Sequence, residues 1–171
     1  MELEALLEKQ GAAIAQKWFD RFVETYPSDT SQFLRQQTDP FANPVGDTTR
    51  KNLEAILQEL LNGMNHDRLV SLLDPIIRIR AVQDFAPSDA IGFIAHLKDV
   101  IREEAKSKLS DPELVIGLLQ FEKKIDSLNL IAFDIYMSCR EKIYQIKANQ
   151  EQERTLKAFR RAGLIADDDS R

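Results

Sequence analysis

Few side chains in this protein could do covalent or metal chemistry, and those few stand far apart. Cys139 is the single cysteine, and His66 and His96 are the only histidines among 171 residues. A nucleophilic thiol needs an electropositive, partly exposed setting that holds it as thiolate. Cys139 instead falls between Ala132 and Ile146 in an apolar series spaced by seven, which is the position of a packed, inert thiol. Structural zinc needs Cys and His at short spacings, and this chain has no such cluster. Gly11, Gly46, Gly63, Gly92, Gly117 and Gly163 stand singly, so no glycine-rich loop can cradle a phosphate. Carboxylates are plentiful but lie on polar helix faces, and no pair stands out as an acid and a base. The sequence therefore predicts no catalytic residues, no metal site and no enzyme.

A haem ligand is the remaining chemical question for an all-helical chain of this length. The apolar face around His96 centres near Leu97, with Phe93, Ile94, Val100 and Ile101 beside it. At 100° per residue, His96 lies roughly 100° from that centre, towards Asp99 and Glu103. A proximal ligand has to point into the core. His66, between Asn65 and Asp67 at a helix start, is expected to be exposed. No cofactor is expected, and the alternative of a haem or small apolar-ligand carrier is separated by an absorption spectrum.

Two basic spots are candidate partner-facing positions. Arg78 and Arg80 form the first, with Arg80 and Asp84 spaced for an i, i+4 ion pair worth a few tenths of a kcal/mol. The competing reading is a structural or solvated pair. Arg154 and Lys157 form the second, in a tail that also carries Arg160 and Arg161 before Asp167, Asp168 and Asp169.

A formal net charge of −5 argues against general nucleic-acid binding, which wants a basic footprint. One cysteine allows no internal disulfide, which fits a reducing cytoplasm. Glu2, Glu4 and Glu8 occupy the start, where an export signal would need a basic opening and an apolar run. No apolar run approaches the ~20 residues that span a bilayer, so a soluble, cytoplasmic protein without direct membrane insertion is expected. The length suits one domain with a full core.

The elements that must position these residues all show the helical period. Leu3, Leu7, Ile14, Trp18 and Phe22 share one side of a first helix that stops near Tyr26-Pro27. A short helix after Ser28 carries Phe33 and Leu34. Leu53, Ile56, Leu57, Leu60 and Leu61 form a clean core-facing stripe, closed by Gly63. Asn43-Pro44, Asp74-Pro75 and Asp111-Pro112 each read as a cap followed by proline at the first helical position. Pro87 or Ser88 opens one helix carrying Ile91 to Ile101.

From Pro112 to about Arg161 a single long helix is predicted. Leu114, Phe121, Leu128 and Ile135 recur every seven residues, as do Leu118, Ile125, Ala132, Cys139 and Ile146. Together they form a seam of coiled-coil type expected to pack within the subunit. The opposite side presents Leu130, Met137 and Tyr144, with Phe133 nearby, and these four residues are the candidate dimer interface.

Three segments carry a resemblance: Asp39-Pro-Phe-Ala-Asn-Pro-Val-Gly46, Ile77-Arg-Ile-Arg-Ala-Val-Gln-Asp-Phe-Ala-Pro87 and Ile131-Ala-Phe-Asp-Ile-Tyr-Met-Ser-Cys-Arg140. They resemble the N-terminal domain of the RsbR-type co-antagonists of the stressosome, over about Leu3 to Gln150. The resemblance implies a globin-like helical fold without haem that dimerises and senses or relays signals. In that family the last helix leads into a STAS domain with phosphorylated hydroxyl residues, which have no counterpart here. Short relatives are associated with sulfite-reduction membrane complexes, which implies an adaptor role as the alternative.

The expectation is thus an all-α, globin-like domain of about six helices over residues 1–150, followed by a helical extension and frayed tail over 151–171. It would act as a homodimeric, non-enzymatic sensory module relaying its state along the last helix to a protein partner, either a signalling protein or a membrane-bound redox complex.

Overall fold

In the computed structural model, residues 2–83, 85–108 and 110–165 are described. Among them the chain is all-helical. The elements are α1 (Glu2–Val23), α2 (Ser28–Gln36), α3 (Pro44–Asn62), α4 (His66–Val82), α5 (Pro87–Ile91), α6 (His96–Ala105) and α7 (Pro112–Arg161). A 3-10 turn, Gly92–Ile94, joins α5 to α6.

Helix α1 packs on the body along a broad apolar face and keeps Lys9, Lys17 and Arg21 in water on the other. Leu7, Ile14, Trp18, Phe19 and Val23 are all fully buried. It packs against α3 and α6, while α4 packs on α3 and carries the main contact with α7. Trp18, Phe22 and Phe93 form the aromatic centre, with the Phe22 and Phe93 rings edge to face at 5.2 Å. Such geometry suits the ring quadrupoles and adds to the burial of apolar area.

The helix starts follow the sequence at three places. Asn43, Asn65 and Asp111 each accept an N–H from the first turn of the following helix, satisfying donors that have no helical partner. Gly63 closes α3 at φ 135°, a conformation costly for any residue with a Cβ.

Three expectations fail. Asp74-Pro75 does not open a helix: Pro75 lies inside α4, whose true cap is Asn65. Leu69, Leu73, Ile76 and Ile77 are buried on both sides of the proline. Their joint burial outweighs the ~3 kcal/mol that an interior proline costs. The helix expected from Pro87 to Ile101 is two helices, broken at the 3-10 turn. The seam of α7 also ends earlier than expected, because Cys139 is its last buried residue and Ile146 is 56% exposed.

Helix α7 is therefore two things in succession. Up to Cys139 one side packs on the body, through residues such as Phe121, Ile125, Leu128 and Tyr136. From Tyr144 onward every residue to Ile165 is exposed. At 1.5 Å per residue, the stretch from Tyr144 to Arg161 is roughly 25 Å long.

Candidate interaction surface

The four stripe residues lie on the outer side of α7. Leu130 is 68% exposed, and Phe133, Met137 and Tyr144 are exposed as well. The stripe is longer than the sequence reading recognised. Taking 100° per residue, Ile116, Leu119 and Phe159 fall within about 40° of Leu130 around the helix axis. All three are exposed. The missed signal was the same period carried to both ends of the helix. Seven-residue spacing alone hides it, because Lys123 and Glu151 interrupt the series.

Arg140 fixes one end of this stripe. It donates to the Ala81 main-chain oxygen at 3.1 Å and to the Tyr144 hydroxyl at 2.9 Å. Its guanidinium also sits 5.0 Å from the Tyr144 ring centroid. The base of the projecting helix is thereby tied to the end of α4.

The candidate basic positions separate. Arg78 is at the surface and makes a forked contact with Asp74 one turn earlier, at 2.8 to 3.1 Å. Arg154 is exposed and pairs with Glu151 at 3.2 Å, and Lys157 is exposed. Arg80 is not at the surface: it is fully buried, so it does not face a partner as expected. Its guanidinium stacks over Phe22 at 4.4 Å and also approaches the rings of Tyr26, Phe85 and Phe93. It donates to the main-chain oxygen of Asp89 at 2.8 Å and to Thr25 Oγ1. Its expected partner Asp84 lies outside the described residues. Burial pushes the Arg80 guanidinium below its ordinary value, opposed by Tyr26 and Asp89.

His96 also departs from expectation. It stands at the edge of the apolar face of α6, where α5 and the 3-10 turn lie beside it, so the ring is half-buried and its Nδ1 is buried without a partner. It lines a half-open pocket of about 460 Å³, together with Thr25, Phe85 and Phe93. His66 is exposed, as expected. Cys139 of α7 is 9% exposed and borders a shallow cleft shared with Val70, Asp74 and Arg78 of α4. Among the described residues no group of three His, Cys, Asp or Glu side chains could hold a metal ion. Among them, too, no helix is long and apolar enough to cross a membrane.

A further surface feature escaped the sequence reading. Phe41 is 97% exposed at the tip of the loop before α3. Its N–H bonds Asp39 Oδ1 at 3.0 Å, and Asn43 anchors the loop from below through Leu34 and Gln37. The loop holds its shape without burying the ring.

Residues 12–151 match the model of the RsbT co-antagonist protein rsbRD N-terminal domain. The chain belongs to this family. An uncharacterized protein of Archaeoglobus fulgidus is 28% identical over 153 residues, covering 86% of this chain and 88% of its own. No solved structure matches.

Proposed function

We propose that the chain is a non-enzymatic regulatory module that works as a homodimer and passes its state along α7 to a protein partner. Residues 1–150 would form the sensing body, and 151–171 the extension that reaches the partner. One observation carries this reading: the outer side of α7 leaves Leu130, Phe133, Met137 and Tyr144 in water on a helix that continues past the body. A contiguous apolar stripe of this kind marks an interface. Two-fold pairing lets the stripe cover itself, the commonest arrangement of soluble oligomers. The exposed Arg154 and Lys157 beyond it are available to the partner. A signalling-related role also follows from the family.

Sedimentation of the parent and of Leu130→Glu/Met137→Glu tests the dimer. The parent should sediment as a dimer, and the variant, with like charges set across the contact, as a monomer. A monomeric parent, or a dimer indifferent to both charges, removes the reading.

A further inference from the structure

The pocket beside His96 lies where the end of α1, the start of α5 and the 3-10 turn before α6 meet. Its volume of about 460 Å³ falls within the range of small-molecule sites. Phe85 supplies apolar wall with the fully buried Phe93 behind it, while Thr25, Ser88 and His96 supply polar edges.

Arg80 stands directly behind this wall. Its guanidinium lies 4.8 Å from the Phe85 ring centroid and 5.3 Å from that of Phe93. It also bonds Thr25 Oγ1 and the main-chain oxygen of Asp89, so four residues of the lining touch the same buried cation. No ion pair to Arg80 is formed among the described residues. Its charge is met by ring faces, main-chain oxygens and the hydroxyls of Thr25 and Tyr26, and its Nε is buried without a partner. A buried charge is screened far less than one in water, so its field reaches into the adjoining space. The Asp89 side chain also borders the pocket, but it is exposed, where water and salt screen it.

His96 adds a second unfilled demand. Its Nδ1 is shut off from water with no partner, an arrangement native structures rarely leave empty. A turn of the imidazole would bring that nitrogen to whatever occupies the cavity.

We propose that this pocket binds a small organic anion, an aromatic or short-chain carboxylate, with its apolar body against Phe85. The carboxylate lies in the field of Arg80 and accepts from Ser88 and His96. A cation of the same shape is repelled by Arg80, and a neutral isostere gains only the apolar contact. This goes beyond the regulatory reading and does not depend on the dimer, although it would give such a module a signal to read.

Trp18 is the only tryptophan, and its ring stacks on Phe93 at 6.2 Å, so its emission reports on the pocket wall. The full chain is titrated with benzoate, benzamide and benzylamine, three probes of one shape and three charges. Benzoate should give a saturable change at least about tenfold tighter than benzamide, and benzylamine none. Gly92→Leu is the blocking variant. Gly92 lines the pocket at φ −57°, and nothing lies within 4 Å of a Cβ added there. It should melt like the parent and lose the benzoate response. Arg80→Met, where it folds, should bind benzoate and benzamide alike. No saturable benzoate response, equal response to benzamide or benzylamine, or a response that survives Gly92→Leu overturns the proposal.

Discussion

Trp18 donates its indole N–H to the main-chain oxygen of Phe93 at 2.7 Å while the two rings stack. The pair ties the middle of α1 to the turn that leads into α6. Trp18 is fully buried, so truncation removes both its packing and this bond. Trp18→Ala should lose ~3–5 kcal/mol in denaturant unfolding. Trp18→Phe keeps most of the ring and should lose roughly half as much, with about 1 kcal/mol of that from the missing hydrogen bond. A Trp18→Ala protein that melts within a degree or two of the parent would contradict this packing.

Asn43 and Gly46 are fitted to each other. The Asn43 side chain accepts from Gly46 N at 2.9 Å and donates to the carbonyl oxygens of Leu34 and Gln37. A Cβ on Gly46 would lie 2.2 Å from the amide nitrogen of that side chain, which is 2% exposed and has nowhere to move. Asn43→Ala should cost about 2 kcal/mol through the lost cap and two orphaned carbonyls. Gly46→Ala should cost a similar amount through the clash. The double variant should cost clearly less than the sum, because removing the amide removes the obstacle. Strict additivity in urea unfolding would show that the two do not share this contact.

Arg102 grips Glu122 through two nitrogens, at 2.7 and 2.9 Å, joining α6 to α7. Glu122 is 8% exposed, and its carboxylate holds the Arg102 guanidinium above its ordinary value. Arg102→Ala would leave that carboxylate poorly solvated and unpaired. The guanidinium side chain is half in water, so a coupling of only about 1 kcal/mol is expected in a double-mutant cycle with Glu122→Gln. Chemical denaturation of the four proteins measures it, and a coupling near zero would mean that solvent screens the pair completely.

Much of the architecture could be read from local signals, and the exceptions share one cause. The α3 stripe and the bounds of α7 depend on period and caps, which neighbours in sequence determine. Pro75 misled because Asp-Pro is a strong local start signal, whereas α4 is held by the burial of Leu69 to Ile77 against other helices. Arg80 lies at helical spacing from Leu73, Ile76 and Ile77, so its position on the core side was legible. Its charge suggested otherwise. The aromatic faces that accept it come from α1, from the loop at Phe85 and from the 3-10 turn, and no local pattern reveals that convergence. The faces of α6 lie as the period placed them, but His96 sits at the boundary of the apolar face, and its cover comes from α5 and the 3-10 turn, which local pattern does not place. The buried position of Cys139 and the exposed stripe of α7 needed only the period.

The projecting part of α7 gives the sharpest dynamic prediction. From Lys147 to Arg161 every side chain of the helix is exposed. An isolated helix of this length is marginal in water, because propagation barely offsets the cost of nucleation. Its stability must come from its continuity with the anchored part and from whatever covers the outer stripe. If a second copy does so, backbone amides of this stretch should be protected from hydrogen exchange in the parent at concentrations where it is dimeric. In Leu130→Glu/Met137→Glu they should exchange much faster. Amides from Ile125 to Cys139 should stay protected in both proteins, since their side of the helix packs on the body of its own subunit. The contrast separates two causes that a melting curve would merge, loss of the interface and loss of the fold. Fast exchange beyond Lys147 in the parent, unchanged in the variant, would mean that pairing does not order the projecting helix. A relay along α7 could not then rest on that pairing.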